Sequence, residues 1–251
     1  MLSVLYEDPD ILVAVKPAGV ESQSARGFSR DMVSEIRRYL AIRARNPQNI
    51  HKLTTLSSKG QGKKQPPYVG VIHRLDRPVS GIMVYARNQK AAGALSSLMQ
   101  QGKMEKWYKA VICGKPVDKQ GVYVDYLRKN QGENLSEIVD KSVPGSKRAE
   151  LSYTVEASAE HSGENGIQEY SLVRIRLVTG RHHQIRVQFS GHGTPLYGDD
   201  RYGEKTAPGQ PAALALCAFR LSFPHPVTGK RMEFEMEPSG GAFEWFKENQ
   251  S

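Results

Sequence analysis

The decapeptide IHRLDRPVSG, residues 72–81, places one carboxylate, Asp76, between two guanidinium groups, Arg74 and Arg77. Asp76 is the only acid between Ile36 and Met104, a window that holds thirteen lysines and arginines. A carboxylate fixed in such surroundings can act as nucleophile, base or electrostatic partner of a developing cation. A neighbouring arginine lowers a carboxyl pKa by about 1–3 units and fixes its orientation. Hydrolysis of a glycosidic bond normally takes a second carboxylate or a water-activating base, and this window offers no second acid. A purely structural ion pair would be satisfied by an acid anywhere along the run. Asp76 is therefore the first candidate for chemistry.

The basic window belongs to a wider charge pattern. The chain has 251 residues and a formal net charge of +9. A second acid-free stretch, Tyr170 to Gly198, contains Arg174, Arg176, Arg181 and Arg186. The two stretches together predict one electropositive face and an anionic partner, nucleic acid being the commonest. No apolar run approaches the roughly 20 residues of a membrane span, and Glu7, Asp8 and Asp10 interrupt what would have to be a secretory signal. Cys113 and Cys217 lie in apolar contexts and read as buried, reduced thiols of a cytoplasmic protein. His182, His183 and His192, without nearby Cys or paired carboxylates, make a poor zinc site, so no metal is expected.

The elements that must position these residues follow from periodicity and breakers. SVLYEDPDILVAVKPAGV reads as two short strands around a turn at Asp8-Pro9-Asp10. Apolar residues at 32, 33, 36 and 40 predict an amphipathic helix with a basic outer face, capped by Ser29. Residues 43–67 read as a flexible basic loop, with Lys59, Lys63 and Lys64 as contacts to the anionic partner. GIMVYAR predicts a buried strand, and NQKAAGALSSLMQQG a helix capped by Asn88 and ended by Gly102. KWYKAVICG predicts a strand, on which Trp107 and Tyr108 must face opposite sides. Residues 128–148 read as an irregular excursion. ELSYTVEA and YSLVRIRLVTG read as paired strands joined by a soft loop, SAEHSGENGIQ. HHQIRVQFSGHG predicts a helix ending at its glycines, with Arg181, after Gly180, at the helix start and suited to phosphate contact. Strands outnumber helices and often follow one another directly. That predicts an α+β fold, a single domain with a mixed, largely antiparallel β-sheet, flanking helices and a central basic cleft.

Five segments, in order, resemble the RluA family of RNA pseudouridine synthases: DILVAVKPAGV, HRLDRPVSG, EKWYKAVICG, LVTGRHHQIRVQFSGHGTPLYGD and LCAFRLSFPHPVTGK. Val79 stands where that family's catalytic motif usually has Thr. The S4-type RNA-binding domain of some relatives is not expected, and residues 43–67 and 128–148 are expected to select the target instead. The resemblance implies isomerisation of uridine to pseudouridine in ribosomal or transfer RNA, without a cofactor; the polar surface and the lack of a long heptad pattern predict a monomer. It makes Asp76 the catalytic carboxylate and Arg186 its partner, against a reading of Arg186 as a surface arginine on phosphate. It makes Tyr108 the active-site tyrosine, against a core tyrosine, and Arg74 the residue that displaces the flipped base, against a phosphate contact. His73 is implied as a hydrogen-bonding support of the loop. Asp199 reads equally as a residue orienting the Arg186 segment and as a turn residue. The competing class is a non-catalytic RNA-binding or RNA-folding protein on the same scaffold.

Overall fold

A computed structural model describes residues 2–24, 30–45, 66–130, 132–163, 166–203 and 213–247. Eleven strands form one sheet: β1 (Ser3–Glu7), β2 (Ile11–Lys16), β3 (Gly70–Val71), β4 (Ser80–Ala86), β5 (Glu105–Cys113), β6 (Gln120–Asn130), β7 (Leu135–Val139), β8 (Lys147–Gly163), β9 (Gly166–Leu177), β10 (Leu216–Pro224) and β11 (Arg231–Glu235). The order is β1-β2-β4-β10-β5-β9-β8-β6-β7, with β3 added to β4 and β11 to β10. Among these strands only β4 and β10 pair in parallel, through Ser80 and Gly81 against Cys217 and Ala218. Three helices, α1 (Met32–Arg45), α2 (Gln89–Gln100) and α3 (Gln184–Gly191), and a C-terminal 3₁₀ turn (Gly241–Phe246) complete the fold. This is the expected α+β architecture with a mixed, mostly antiparallel sheet.

The helices follow their patterns. Met32, Val33, Ile36 and Leu40 are all buried on one face of α1. Ser29 lies outside the described residues; Asp31 accepts from the Ser34 N–H at 2.9 Å and does the work of an N-cap. Asn88 caps α2 by accepting from the Ala91 N–H at 2.8 Å, and Gly102, just past its end, takes a left-handed φ of +69°.

Four expectations are corrected. Residues 128–148 are not irregular throughout: they contain the end of β6 and all of β7, a hairpin that docks on α3. Ile138 of β7 fits over Gly191, where any Cβ would overlap it. The soft loop after residue 157 is instead a continuation of the β8–β9 ladder, paired as far as Gly163 and Gly166. Cys217 is buried but Cys113 is only partly so. Arg174 and Arg176 also fail to join the face that holds Tyr108. Tyr108 pairs with Ile175 across β5 and β9, so the residues on either side of Ile175 must point to the opposite surface. There both guanidinium groups stack on Trp107, at 5.6 and 5.8 Å, and pair with Glu156 and Glu105.

Candidate active site

Asp76 lies in the loop between β3 and β4, and the chain on either side of it is pinned by the segment that follows β2. Buried Ser22 donates to the Leu75 carbonyl at 2.8 Å and accepts from the Leu75 N–H at 3.0 Å. The Gly19 N–H donates to the Arg77 carbonyl at 2.8 Å, and Arg77 Nε returns a bond to the Gly19 carbonyl at 3.0 Å. Lys16 is wholly buried at the end of β2. Its ammonium donates to the carbonyls of Pro17, Val20 and Arg77, at 3.1, 2.6 and 3.1 Å. Burial lowers its pKa to about 8 and the charge of Asp76 opposes that, so the ammonium is charged at neutral pH.

The Val79 N–H closes a turn on the Asp76 carbonyl at 3.0 Å, and Val79 itself packs into the apolar core. The chain then enters β4 through Gly81, at φ +139°. A Cβ there would overlap the backbone of Ala218 on β10, so this close parallel approach requires glycine. His73 supports the same loop, its Nε2 accepting from the Val84 N–H at 3.3 Å, and burial pushes its pKa down to about 3.

The opposite wall comes from α3 and the loop after it. Arg186 is buried, and its Nε and Nη2 donate to Asp199 Oδ2 and Oδ1 at 2.7 and 2.6 Å, a two-pronged pair. Its free corner, Nη1, sits 3.8 Å from Asp76 Oδ2. Asp199 Oδ1 also accepts the backbone N–H groups of Arg201 and Tyr202, so it both shapes its turn and orients Arg186. The Arg186 guanidinium lies over the Tyr202 ring at 5.3 Å.

His183 Nε2 is 3.7 Å from Asp76 Oδ2, and the His182 and His183 rings stack at 3.8 Å. Burial first, and then neighbouring positive charge, brings both imidazoles down to about 4, so both are neutral near pH 7. Asp76 departs from the sequence expectation of a lowered pKa. Burial pushes its carboxyl above the ordinary value and outweighs the pull of Arg186, His182 and Lys16, while Asp199 adds to the rise. Its side chain keeps 32% exposure, which leaves one edge open to a substrate. Tyr108 is buried on the inner face of β5 beside this group. Burial, with the charges of Asp76 and Cys217, holds its phenol protonated.

The remaining candidates separate. Arg74 is exposed next to Asp76, with no ion-pair or hydrogen-bond partner among the described residues. Arg181 is not at a helix start. The helix begins at Gln184, whose Oε1 accepts from the Arg181 N–H, and Arg181 Nε donates to the Arg148 carbonyl at 2.8 Å. Lys59, Lys63 and Lys64 lie outside the described residues. His192 sits apart from the other two histidines, stacked on Tyr123 at 3.8 Å and bonded to Asp125. Sequence reasoning missed Lys16, His183 as a neighbour of Asp76, and Tyr202, although all three lie inside or just beyond the segments that carried the resemblance.

The model of the RNA pseudouridylate synthase family matches residues 10–191. The chain is 30% identical over 259 residues to an uncharacterized RNA pseudouridine synthase of Aquifex aeolicus, covering 99% of this chain and 74% of that one. It is 30% identical over 245 residues to ribosomal large subunit pseudouridine synthase D of Zymomonas mobilis, covering 94% and 69%. In fold it is similar to human RNA pseudouridylate synthase domain containing 1, with a TM-score of 0.67 at 22% identity over 95% of this chain and 84% of that one. The chain belongs to the RluA-type family of RNA pseudouridine synthases.

Proposed function

We propose that this enzyme isomerises uridine to pseudouridine in large-subunit ribosomal RNA, with Asp76 as the catalytic carboxylate. The observation that carries the assignment of Asp76 is its setting. It is a partly exposed acid on a loop braced from both sides, facing an arginine that a second, buried acid holds in place. The reaction breaks the C1′–N1 bond, turns the uracil and rejoins it through C5, so product and substrate are isomers and no co-reactant is consumed. Positive character builds on the sugar as the bond breaks. The ionised carboxylate is the group that meets it, either by bonding to C1′ or by taking the C2′ proton, and both need the same open edge of Asp76. Arg186 Nη1 favours the ionised form against the cost of burial. Tyr108, a protonated phenol on the inner wall, supports the base by stacking and is a donor for proton traffic at C5 or C2′. Arg74 is exposed beside the acid, where a planar cation can fill the gap left by a flipped uridine. The ribosomal target is supported by the relatives named as large-subunit synthases.

A pseudouridine map of total RNA tests this, comparing a strain lacking the gene with the same strain rescued by wild type or by Asp76→Asn. The expected result is a large-subunit ribosomal site that vanishes, returns with wild type and stays absent with the variant. A lost site in transfer RNA would overturn the target. Restoration by Asp76→Asn would overturn the role of Asp76.

A further inference from the structure

Tyr202 touches Arg186, Asp199 and His183 on the wall that faces Asp76. Its ring lies under the Arg186 guanidinium, and its carbonyl accepts from Ser190 Oγ at 2.5 Å. Its hydroxyl lies 2.9 Å from His183 Nδ1 and accepts from the Ser136 N–H at 2.7 Å. Ser136 belongs to β7, the edge strand of the sheet, whose hairpin with β6 docks on α3, and its own Oγ is 3.0 Å from His182 Nδ1. One hairpin residue therefore contacts both the tyrosine and the histidine pair.

The hydrogen-bond inventory of this chain sets a direction. The Ser136 N–H occupies a lone pair of the Tyr202 oxygen, which leaves the Tyr202 proton free to be donated. The acceptor within reach is His183 Nδ1. A neutral imidazole that accepts at Nδ1 carries its proton on Nε2, and Nε2 is the atom turned toward Asp76. His183 holds this pose at φ +53°, a left-handed conformation uncommon outside glycine. Such a conformation persists only where surrounding contacts over-determine it. Here those contacts are the Tyr202 hydroxyl on one edge and the His182 ring on one face.

We propose that Tyr202 and His183 are positioning residues for Asp76: the Tyr202 hydroxyl, fixed by Ser136 of the β6–β7 hairpin, selects the His183 tautomer whose Nε2–H points at the Asp76 carboxylate. At 3.7 Å that contact is longer than a hydrogen bond, and the proposal requires it to shorten in the reacting complex, as hydrogen bonds at reaction centres commonly do. The charged groups around the imidazole are Arg186, Asp199, Arg201, Lys129 and Asp76, with His182 stacked on it. The inference rests on the assignment of Asp76 as the catalytic carboxylate, but its structural half can be read without any turnover.

The test combines imidazole ¹⁵N NMR with single-turnover kinetics at saturating RNA. In wild type, His183 should show a proton on Nε2 and a bare Nδ1, and Tyr202→Phe should convert this to a mixture of tautomers. A proton on Nδ1 in wild type, or an unchanged His183 signal in Tyr202→Phe, overturns the tautomer assignment whether or not the enzyme turns over. Tyr202→Phe and His183→Asn should each slow the reaction by about tenfold or more, the size expected for one bond to a charged group. Both should move the acid limb of the rate to higher pH without changing RNA affinity. His183→Asn suits the left-handed backbone and keeps a group near Tyr202, so it controls for folding. His183→Gln, which returns an amide near the Nε2 position, should recover part of the rate and of the pH profile. Equal rates for the Asn and Gln variants, both folded, would overturn the role of Nε2–H.

Discussion

Replacing Asp199 by Asn tests whether the site is held by one buried ion pair. The carboxylate of Asp199 is fully buried and Arg186 retains 3% side-chain exposure. The remaining acids near Arg186 are Asp76 at 3.8 Å and Asp200 at 3.7 Å, both beyond hydrogen-bond distance. Asp199→Asn keeps the shape but removes the charge and turns one acceptor into a donor facing a donor. Breaking a buried pair from one side costs about 3–5 kcal/mol, and the two residual acids place this case near 3. For a chain of this size each kcal/mol lowers Tm by about 2–4 °C, so Tm should fall by about 6–12 °C. The 83% exposed side chain of Asp200 supplies the control, and Asp200→Asn should stay within about 0.5 kcal/mol of wild type. Activity should fall by more than stability explains. An unmoored Arg186 no longer aims Nη1 at Asp76, and a misplacement of about 1 Å is worth roughly a hundredfold in rate. Thermal melts followed by circular dichroism and single-turnover assays well below Tm read the two effects separately. A Tm within 2 °C of wild type, or a large loss of Tm with an unchanged rate, would refute the reasoning.

Asp76→Asn should keep RNA affinity, lose product and raise Tm at neutral pH. The folded state holds the Asp76 proton more tightly than the unfolded chain, so the stability this residue contributes is present at low pH and lost as pH rises through its raised folded value. The Tm advantage of the variant should therefore shrink as pH falls toward the ordinary carboxyl value of 3.8, and an advantage that grows in acid would contradict the burial argument. Lys16→Met should lower both Tm and the single-turnover rate, because the ammonium ties the Arg77 carbonyl of the Asp76 loop to those of Pro17 and Val20; an unchanged rate would separate that loop from catalysis. Gly81→Ala should destabilise by more than 1 kcal/mol, about the level at which such a substitution at positive φ usually begins, and a urea midpoint equal to wild type would show that β4 and β10 can part.

Much of this architecture is legible where sequence periodicity is local. The stripe of α1, the Asn88 cap and the strands flanking the Asp8 turn all depend on residues within a few positions of one another. The hairpin of β6 and β7 escaped because polar residues and breakers mask its alternation; it is recognisable only once α3 is in place to receive Ile138. Arg174 and Arg176 read as part of a basic face because charge is visible in sequence and register is not. Only the pairing of Tyr108 with Ile175 sends them to the far side. Lys16 ends an apolar strand, and nothing local in the sequence marks it as buried. Its burial depends on a carbonyl sixty-one residues away as well as two nearby, which no local pattern reports. The direction of the Asp76 shift was misread for a related reason. An arginine neighbour can be inferred from a motif, but the desolvation that outweighs it belongs to the assembled cleft.

The two walls of the site explain why so much structure is spent on one carboxylate. In the proposed reaction the uracil detaches, turns and rejoins, so the moving part is the base and the fixed reference must be the sugar and the acid that meets it. The end of β2 and the segment after it hold Leu75 and Arg77 through five hydrogen bonds with Lys16, Gly19 and Ser22, leaving the Asp76 side chain between two immobilised neighbours. The loop after α3 fixes Arg186 through Asp199 and faces the same carboxylate. Neither wall engages Arg74, which extends from the braced loop without a partner among the described residues. In the proposed reaction the braced acid would hold the ribose, and Arg74 would be left to displace the base. A flexible Asp76 loop would let the carboxylate follow the uracil instead of the sugar and lose the orientation that makes the second bond form at C5.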